Sequence, residues 1–500
     1  MLEKLKRLGT DTAVYGISTI LGRFLTFLLT PLYTHALPAE DLGIVATVYA
    51  YIAFLNVVYG YGMESAYMKY SSTQDLGNRR QVFTVPFLAV GITSFFFSGA
   101  LILWSAPVAR WTHVPDSLAA IVSQGALILF LDALTLIPFA SLRMASKART
   151  FAVIKVAGII VNVLCNVLFL FVFRSGVEGI FLSNIISAVI VLLLLVPTVV
   201  RSFALPWPEK LLGALLRFGL PSVPAGIAGM MIQVINRPIL ESLSGKAAVG
   251  VFQANYRLGI FMMLLVSMFD FAWRPFFLQH AKDPDARPLF ARVMTYVVLI
   301  LTAVFLSLSF FLEPLVRWRI FAGRSLIAPP YWVGLDIVPV ILLAYLFLGV
   351  YNNLIAGIYI EKRTARLPVV TFVAAGVNIA ANYILIPQYG LLGAAYATLA
   401  SYLVMAGMMY LMVRAVYPVP YEWIRLAKIT AAAVAVYVPA RIVQAGSWTI
   451  AWHGILLLGF PFLLYLSRFF VPGELRGMAR LVRSVRPRGS DTAGPPGGEG

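Results

Sequence analysis

Two arginines stand where the sequence makes a cation expensive. Arg23 lies about ten residues into the first long apolar run and Arg257 a similar distance into the eighth, so at about 1.5 Å per residue both reach the middle of a hydrocarbon layer. An unpaired guanidinium there costs roughly 2.5 to 3.5 kcal/mol on the insertion scale, so each must meet an anion, water or a carboxylate. Meeting an anion is binding chemistry, because the guanidinium is a planar fork of donors suited to paired oxygens. Meeting a carboxylate is structural, and Glu64, Asp132 and Asp270 are the available partners. Other polar residues recur at helical spacing. Thr12, Thr19, Thr26, Thr30 and Thr34 form a stripe with Arg23; Tyr49, Asn56, Tyr59 and Glu64 share a face of the second run. Gln233 and Arg237 belong to the seventh run, Gln253, Arg257 and Arg274 to the eighth. The candidate binding set is therefore Arg23, Arg257, Arg237, Gln233, Gln253 and Asn56, with Glu64, Asp132 and Asp270 as carboxylates able to couple an ion to movement. Four polar residues have plain structural readings. Lys155 is about one turn into its run and can snorkel inward, Arg237 beside Pro238 can stabilise a helix C-terminus, and Asp270 and Arg274 are spaced to pair.

The elements that carry these residues are set by composition. Of 500 residues 60% are hydrophobic and 12% charged, about half the charge density of a soluble domain. Apolar runs of the ~20 residues that cross a bilayer recur along the whole length. They predict about fourteen helices: 13–33, 42–63, 85–106, 118–140, 151–173, 177–199, 211–233, 249–271, 291–311, 332–355, 367–386, 391–413, 424–439 and 449–469. The fold class is an all-α integral membrane protein. The first run is too long for a cleaved secretory signal and reaches Pro31 without a small-residue cleavage site, so it reads as the first span. Cys165 is the single cysteine, which excludes disulfides within the chain.

The net charge of +18 raises nucleic acid as a partner, but the cations sit mostly between apolar runs rather than on one basic face. With the N-terminus inside, 28 of the 39 lysines and arginines fall in cytoplasmic segments, which places both termini there.

The chain also repeats. Gly22, Pro31, Gly43 and Tyr49 recur as Gly229, Pro238, Gly250 and Tyr256 at a constant offset of 207. Asn162 and Asn166, then Gly176, Gly179 and Ser187, are echoed by Asn378 and Asn382, then Gly390, Gly393 and Ser401. Helices one to six thus repeat as seven to twelve in the same orientation, predicting two lobes about an axis along the membrane normal with a cavity between them. The expected divisions are a first six-helix lobe at 1–205, a second at 206–415 after an elbow at Pro206, Trp207 and Pro208, added helices thirteen and fourteen within 416–470, and a basic then disordered tail at 471–500.

The stretch from Asn378 to Ser401, NIAANYILIPQYGLLGAAYATLAS, resembles the polysaccharide transporter branch of the multidrug/oligosaccharidyl-lipid/polysaccharide exporter superfamily. ALPAEDLGIVATVYAY after the first helix and VGVFQANYRLG in the eighth are similar to the same branch. The resemblance implies a flippase for O-antigen, capsule or exopolysaccharide precursors in the cell inner membrane. Such a protein moves a polyprenyl-diphosphate-linked oligosaccharide between leaflets, with membrane lipid around it and polysaccharide polymerase and chain-length machinery as partners. A diphosphate would suit the guanidinium forks of Arg23 and Arg257. The asparagine pairs fit interhelical hydrogen bonding as well as substrate contact, and Pro387, Gly390 and Gly393 fit an outer turn followed by close helix contact.

No phosphate-cradling loop followed by Lys and Ser/Thr occurs, so the chain is not expected to hydrolyse ATP. His35, His113, His280 and His453 are scattered without ligand spacing, and neither an enzyme nor a cofactor is expected. Three alternatives remain. Fourteen helices are also similar to lipid II flippases; a drug/cation antiporter of the same superfamily would call for net acidic groups in the cavity; a membrane-embedded polymerase or ligase would call for acids or bases in a sizeable outer loop.

Overall fold

The computed structural model describes residues 22, 24, 27–75, 77–205, 209–321, 323–443 and 448–470. Arg23, Thr12, Thr19, Thr26, the elbow at Pro206 to Pro208 and the tail from 471 lie outside them, as does most of the first apolar run.

Among the described residues the chain is almost wholly helical. Its first part comprises α1 (Leu29–Ala36), α2 (Ala39–Gly60), α3 (Met63–Thr73), α4 (Arg79–Leu103), α5 (Ser105–Trp111), α6 (Ala120–Met144), α7 (Ala148–Val167) and α8 (Gly176–Ser202). Then follow α9 (Glu209–Gly219), α10 (Val223–Val234), α11 (Asn236–Ser244), α12 (Lys246–Tyr256), α13 (Ile260–His280) and α14 (Ala286–Arg317). A short hairpin, β1 (Arg319–Phe321) and β2 (Arg324–Ser325), leads to α15 (Ile337–Ile360), α16 (Leu367–Tyr389) and α17 (Leu391–Val416), and then to α18 (Trp423–Ile442) and α19 (Thr449–Leu466). These elements make 13 helical stretches long and apolar enough to span a membrane among the described residues. They coincide with the second to fourteenth predicted helices. The largest shifts are at the ends of the second and eighth, which run on from 63 to Thr73 and from 271 to His280, while the start of the tenth moves from 332 to Ile337 because Pro329–Gly334 winds as a tighter 3-10 turn.

Local chemistry fixes several ends. Asn78 caps α4 through a reciprocal box: its side chain accepts from the Arg80 and Gln81 amides while Gln81 accepts from the Asn78 amide. Gly390, at φ +55°, turns the chain between α16 and α17, and a side chain at Gly393 would overlap the Leu385 carbonyl.

Several spans are interrupted, and three of the interruptions bear on the charged residues. The second breaks between α2 and α3, where Tyr61 and Gly62 take positive φ of 27° and 74°. The seventh breaks at Ile235, three residues before Pro238, whose missing N–H cannot continue the ladder. The eighth tightens to a 3-10 turn over Arg257–Gly259 between α12 and α13. The break at Ile235 has a counterpart 207 residues earlier at Leu28, three residues before Pro31, and α2 and α12 begin at the related positions Ala39 and Lys246.

By internal contacts the chain divides into residues 1–421 and 422–500. In the second unit α18 packs on α19, Arg425 bonds Glu422 at 3.0 Å, and its guanidinium lies 4.4 Å over the Phe469 ring. In the first unit, buried amides join helices: Asn382 donates to Asn236 at 2.9 Å, Asn378 to Ser401 at 2.8 Å and Asn236 to Thr398 at 2.7 Å. The expected interhelical role of Asn378 and Asn382 is seen here. Their repeat partners are less connected, Asn166 donating to the Asn162 carbonyl at 2.8 Å. The segment after the hairpin covers the end of α1. Tyr331 donates to the Leu37 carbonyl at 2.9 Å, His35 bonds the Ser325 carbonyl at 2.7 Å, and Asn255 of α12 donates to the Tyr331 carbonyl at 2.8 Å.

Candidate substrate cavity

Inside the first unit lies a cavity of about 700 Å³. α3 contributes Glu64, α6 Asp132, Thr135, Phe139 and Arg143, and α7 Phe151 and Lys155. From later in the chain come Arg237, Gln253, Tyr256, Arg257 and Tyr345. Three of the charged residues stand at the helix interruptions: Glu64 just past the Tyr61–Gly62 break, Arg237 just past Ile235, and Arg257 in the 3-10 turn. Discontinuous helices free backbone groups that apolar surroundings cannot satisfy, so such breaks belong beside water or ligand.

The charges are not evenly compensated. Glu64 pairs with Arg143. Asp132 faces Lys155 and bonds Asn56, which stands behind the cavity lining. Arg237 and Arg257 have no carboxylate partner among the described residues. The Arg237 Nε donates to Gln253 at 2.7 Å and its guanidinium lies 5.7 Å from the Tyr256 ring. Arg257 reaches the Thr30 hydroxyl at 3.5 Å and lies 5.6 Å from the Tyr33 ring. The described lining therefore holds Arg143, Lys155, Arg237 and Arg257 against Glu64 and Asp132, leaving two cations among neutral groups.

Of the expected site residues, Arg257, Arg237, Gln253, Glu64 and Asp132 meet in this cavity. Arg23 lies outside the described residues. Gln233 is exposed on α10 and apart from the lining, because the break at Ile235 separates its face from that of Arg237. Asp270 bonds Arg274 at 3.1 Å, as their spacing predicts, and stands apart from the lining. Tyr49 accepts from Asn184 at 2.8 Å and Tyr59 bonds Ser98 at 3.0 Å, so both serve packing.

Two sequence expectations are corrected. Lys155 does not snorkel: it lines the cavity, 4.4 Å over the Phe139 ring and facing Asp132. Arg237 does not cap a helix C-terminus, since a new helical segment begins at Asn236, placing Arg237 in its first turn, and its guanidinium donates to Gln253. Arg143 was missed as a cavity residue; its place at the end of α6, where a cytoplasmic topology signal is also expected, concealed it.

The fold resembles solved transporters at low identity. The lipid II flippase MurJ in an inward closed conformation has a TM-score of 0.73 at 14% identity, covering 92% of this chain and 100% of that one. An inward-facing multidrug resistance MATE family transporter gives 0.62 at 14%, covering 82% and 97%. The Vibrio cholerae MATE transporter VcmN gives 0.59 at 14%, covering 82% and 96%. No curated protein sequence matches the chain. At that level of identity the likeness establishes the fold, that of a multi-pass all-α membrane protein. The model of the polysaccharide biosynthesis protein family matches residues 36–324, more than half of the sequence and including every charged residue of the described cavity, and so, as the resemblance in the sequence implied, this chain belongs to that family.

Proposed function

We infer that the protein is a flippase that carries a polyprenyl-diphosphate-linked oligosaccharide from the cytoplasmic to the outer leaflet of the cell inner membrane. The observation that carries this reading is an asymmetry in the repeat. At the 207 offset Arg237 corresponds to Thr30 and Arg257 to Ala50, so the first copy builds the same helical elements without either cation. The repeat thus gives no folding reason for the two arginines, yet both stand in the cavity with neutral partners, at a cost of a few kcal/mol each in a membrane interior. A diphosphate supplies several acceptor oxygens, each charge-assisted bond contributing about 1.5 to 3 kcal/mol. Family membership supports a role in polysaccharide biosynthesis, and the MurJ-like and MATE-like fold supports transport.

In the proposed cycle the lipid passes sideways between the first and eighth spans, its tail staying in the bilayer, while Arg257, Arg237 and Arg23 hold the diphosphate. Rocking of the two halves moves the polar head past mid-membrane. Glu64 and Asp132, already engaged by Arg143 and Lys155, are the cavity carboxylates through which an ion gradient could be coupled. The cationic balance disfavours a cationic drug as cargo. A lipid II-type precursor would offer the same diphosphate. The deciding experiment is transport of fluorescent undecaprenyl-diphosphate-linked oligosaccharide in proteoliposomes. Wild type should move it, and Arg257→Ala should not at equal reconstitution; equal rates would reject the reading.

A further inference from the structure

The two sides of the cavity differ in charge balance, and the difference has a direction. On the side made by α3, α6 and α7 cations and carboxylates balance: Arg143 pairs with Glu64, and Lys155 lines the same wall as Asp132, near enough for their charges to offset each other. Such a wall has little net charge but is dense in donors and acceptors. A hydroxyl placed on it can donate to a carboxylate and accept from the neighbouring cation at once. This suits a neutral polyol, whereas a second anion would have to break the existing pairs. Phe139 and Phe151, packed edge to face at 5.2 Å, form the apolar backing of this wall, with the Lys155 ammonium over the Phe139 ring.

Position along the membrane supports the same assignment. Arg237 lies just past the outward end of the seventh span, beyond the break at Ile235, and Arg257 in the 3-10 turn within the eighth. Asp132 is at the midpoint of α6, whereas Arg143 ends it and Glu64 follows the α2–α3 break, both toward the inner surface. Just outward of Gln253, α2 and α12 touch at Gly43 and Gly250, which leaves no room for a side chain, still less for a sugar. A head group with its diphosphate on Arg237 and Arg257 must therefore lay its glycan inward, along Asp132, Lys155, Glu64 and Arg143.

We propose that this charge-compensated wall is a glycan subsite that selects a neutral sugar next to the diphosphate over an acidic one. The inference rests on the proposed function and assigns each side of the cavity its own part of the head group.

The test is equilibrium binding to purified full-length protein in nanodiscs, with three probes: undecaprenyl diphosphate, undecaprenyl-diphosphoryl N-acetylglucosamine and undecaprenyl-diphosphoryl glucuronic acid. Wild type should bind the N-acetylglucosamine lipid about tenfold more tightly than the bare diphosphate, and the glucuronic acid lipid no more tightly than the bare one. The double variant Asp132→Asn with Lys155→Met keeps the net charge. It should lose the tenfold gain while its affinity for the bare diphosphate stays within about twofold of wild type. Absence of the gain in wild type, its persistence in the double variant, or equal loss of all three probes would overturn the subsite. Arg257→Ala tests the underlying reading separately: it should weaken all three probes alike, and unchanged affinity for the bare diphosphate would reject that reading whatever the sugar does.

Discussion

Gly43 and Gly250 meet face to face, each holding the place in its own copy of the repeat that the other holds in its. A side chain on Gly43 would overlap the Lys246 carbonyl, and one on Gly250 the Ala39 carbonyl, again residues 207 apart. The crossing of α2 and α12 is thus backbone against backbone. Gly43→Ala and Gly250→Ala should each force the helices apart at a cost of about 1 to 3 kcal/mol, the range for overpacking. Gly407→Ala, where nothing lies within 4 Å, should be neutral or slightly stabilising. Thermal unfolding in detergent measures all three.

Replacing each cavity arginine with the residue at its related position separates binding from folding. Arg237→Thr and Arg257→Ala should reach wild-type abundance in the membrane, because Thr30 and Ala50 occupy those places in the first copy. Each should weaken undecaprenyl diphosphate binding about ten- to a hundredfold. Arg257→Lys should rescue in part, supplying charge without the fork, and Arg257→Glu should be worse than Ala. Polymer export in a flippase-deficient strain, normalised to inserted protein, provides the cellular measurement. Low abundance of these variants would favour a structural role.

The Glu64–Arg143 pair is partly open to the cavity, with side-chain exposures of 32% and 37%. Screening limits its contribution, so a double-mutant cycle through Glu64→Ala and Arg143→Ala should give a coupling energy of about 1 kcal/mol or less. Unfolding midpoints of the four proteins provide it.

Asn382 tests the buried amide network. It is fully buried and bonds both Asn236 and Asn378, so Asn382→Ala should lose about 1 to 3 kcal/mol by stranding its partners. Asn166→Ala, whose lost bonds run only to Asn162, should lose less. Neither should change diphosphate affinity, which the nanodisc assay would show.

The spans and the repeat were legible in the sequence because lipid forces every backbone group into a helix of set length. Depth was read for Arg23 and Arg257 from their distance into apolar runs, whereas Glu64 and Asp132 were candidates only as carboxylates available to pair or couple. Sequence spacing says less about what stands opposite a residue on another helix. Lys155 was at snorkelling depth, but Asp132 and Phe139, on α6, hold it inside. The break beside Arg237 did have a signal in Pro238, since a proline three residues past a helical segment stops its ladder. Tyr49 and Tyr256 mark the opposite limit. They are the same residue in the two copies, yet one is held by Asn184 and the other lines the cavity beneath Arg237.

The uncompensated pair Arg237 and Arg257 also has an electrical consequence. On the proposed cycle, the diphosphate cancels about two positive charges, those of these arginines, which an empty cavity carries uncancelled. A membrane negative inside therefore acts weakly on the outward, loaded step and strongly on the inward return of the empty carrier. Each charge crossing the full field is worth about 2.3 kcal/mol per 100 mV. Voltage would then reset the protein after release rather than push its cargo, and turnover would slow on depolarisation even with the lipid-linked sugar in excess.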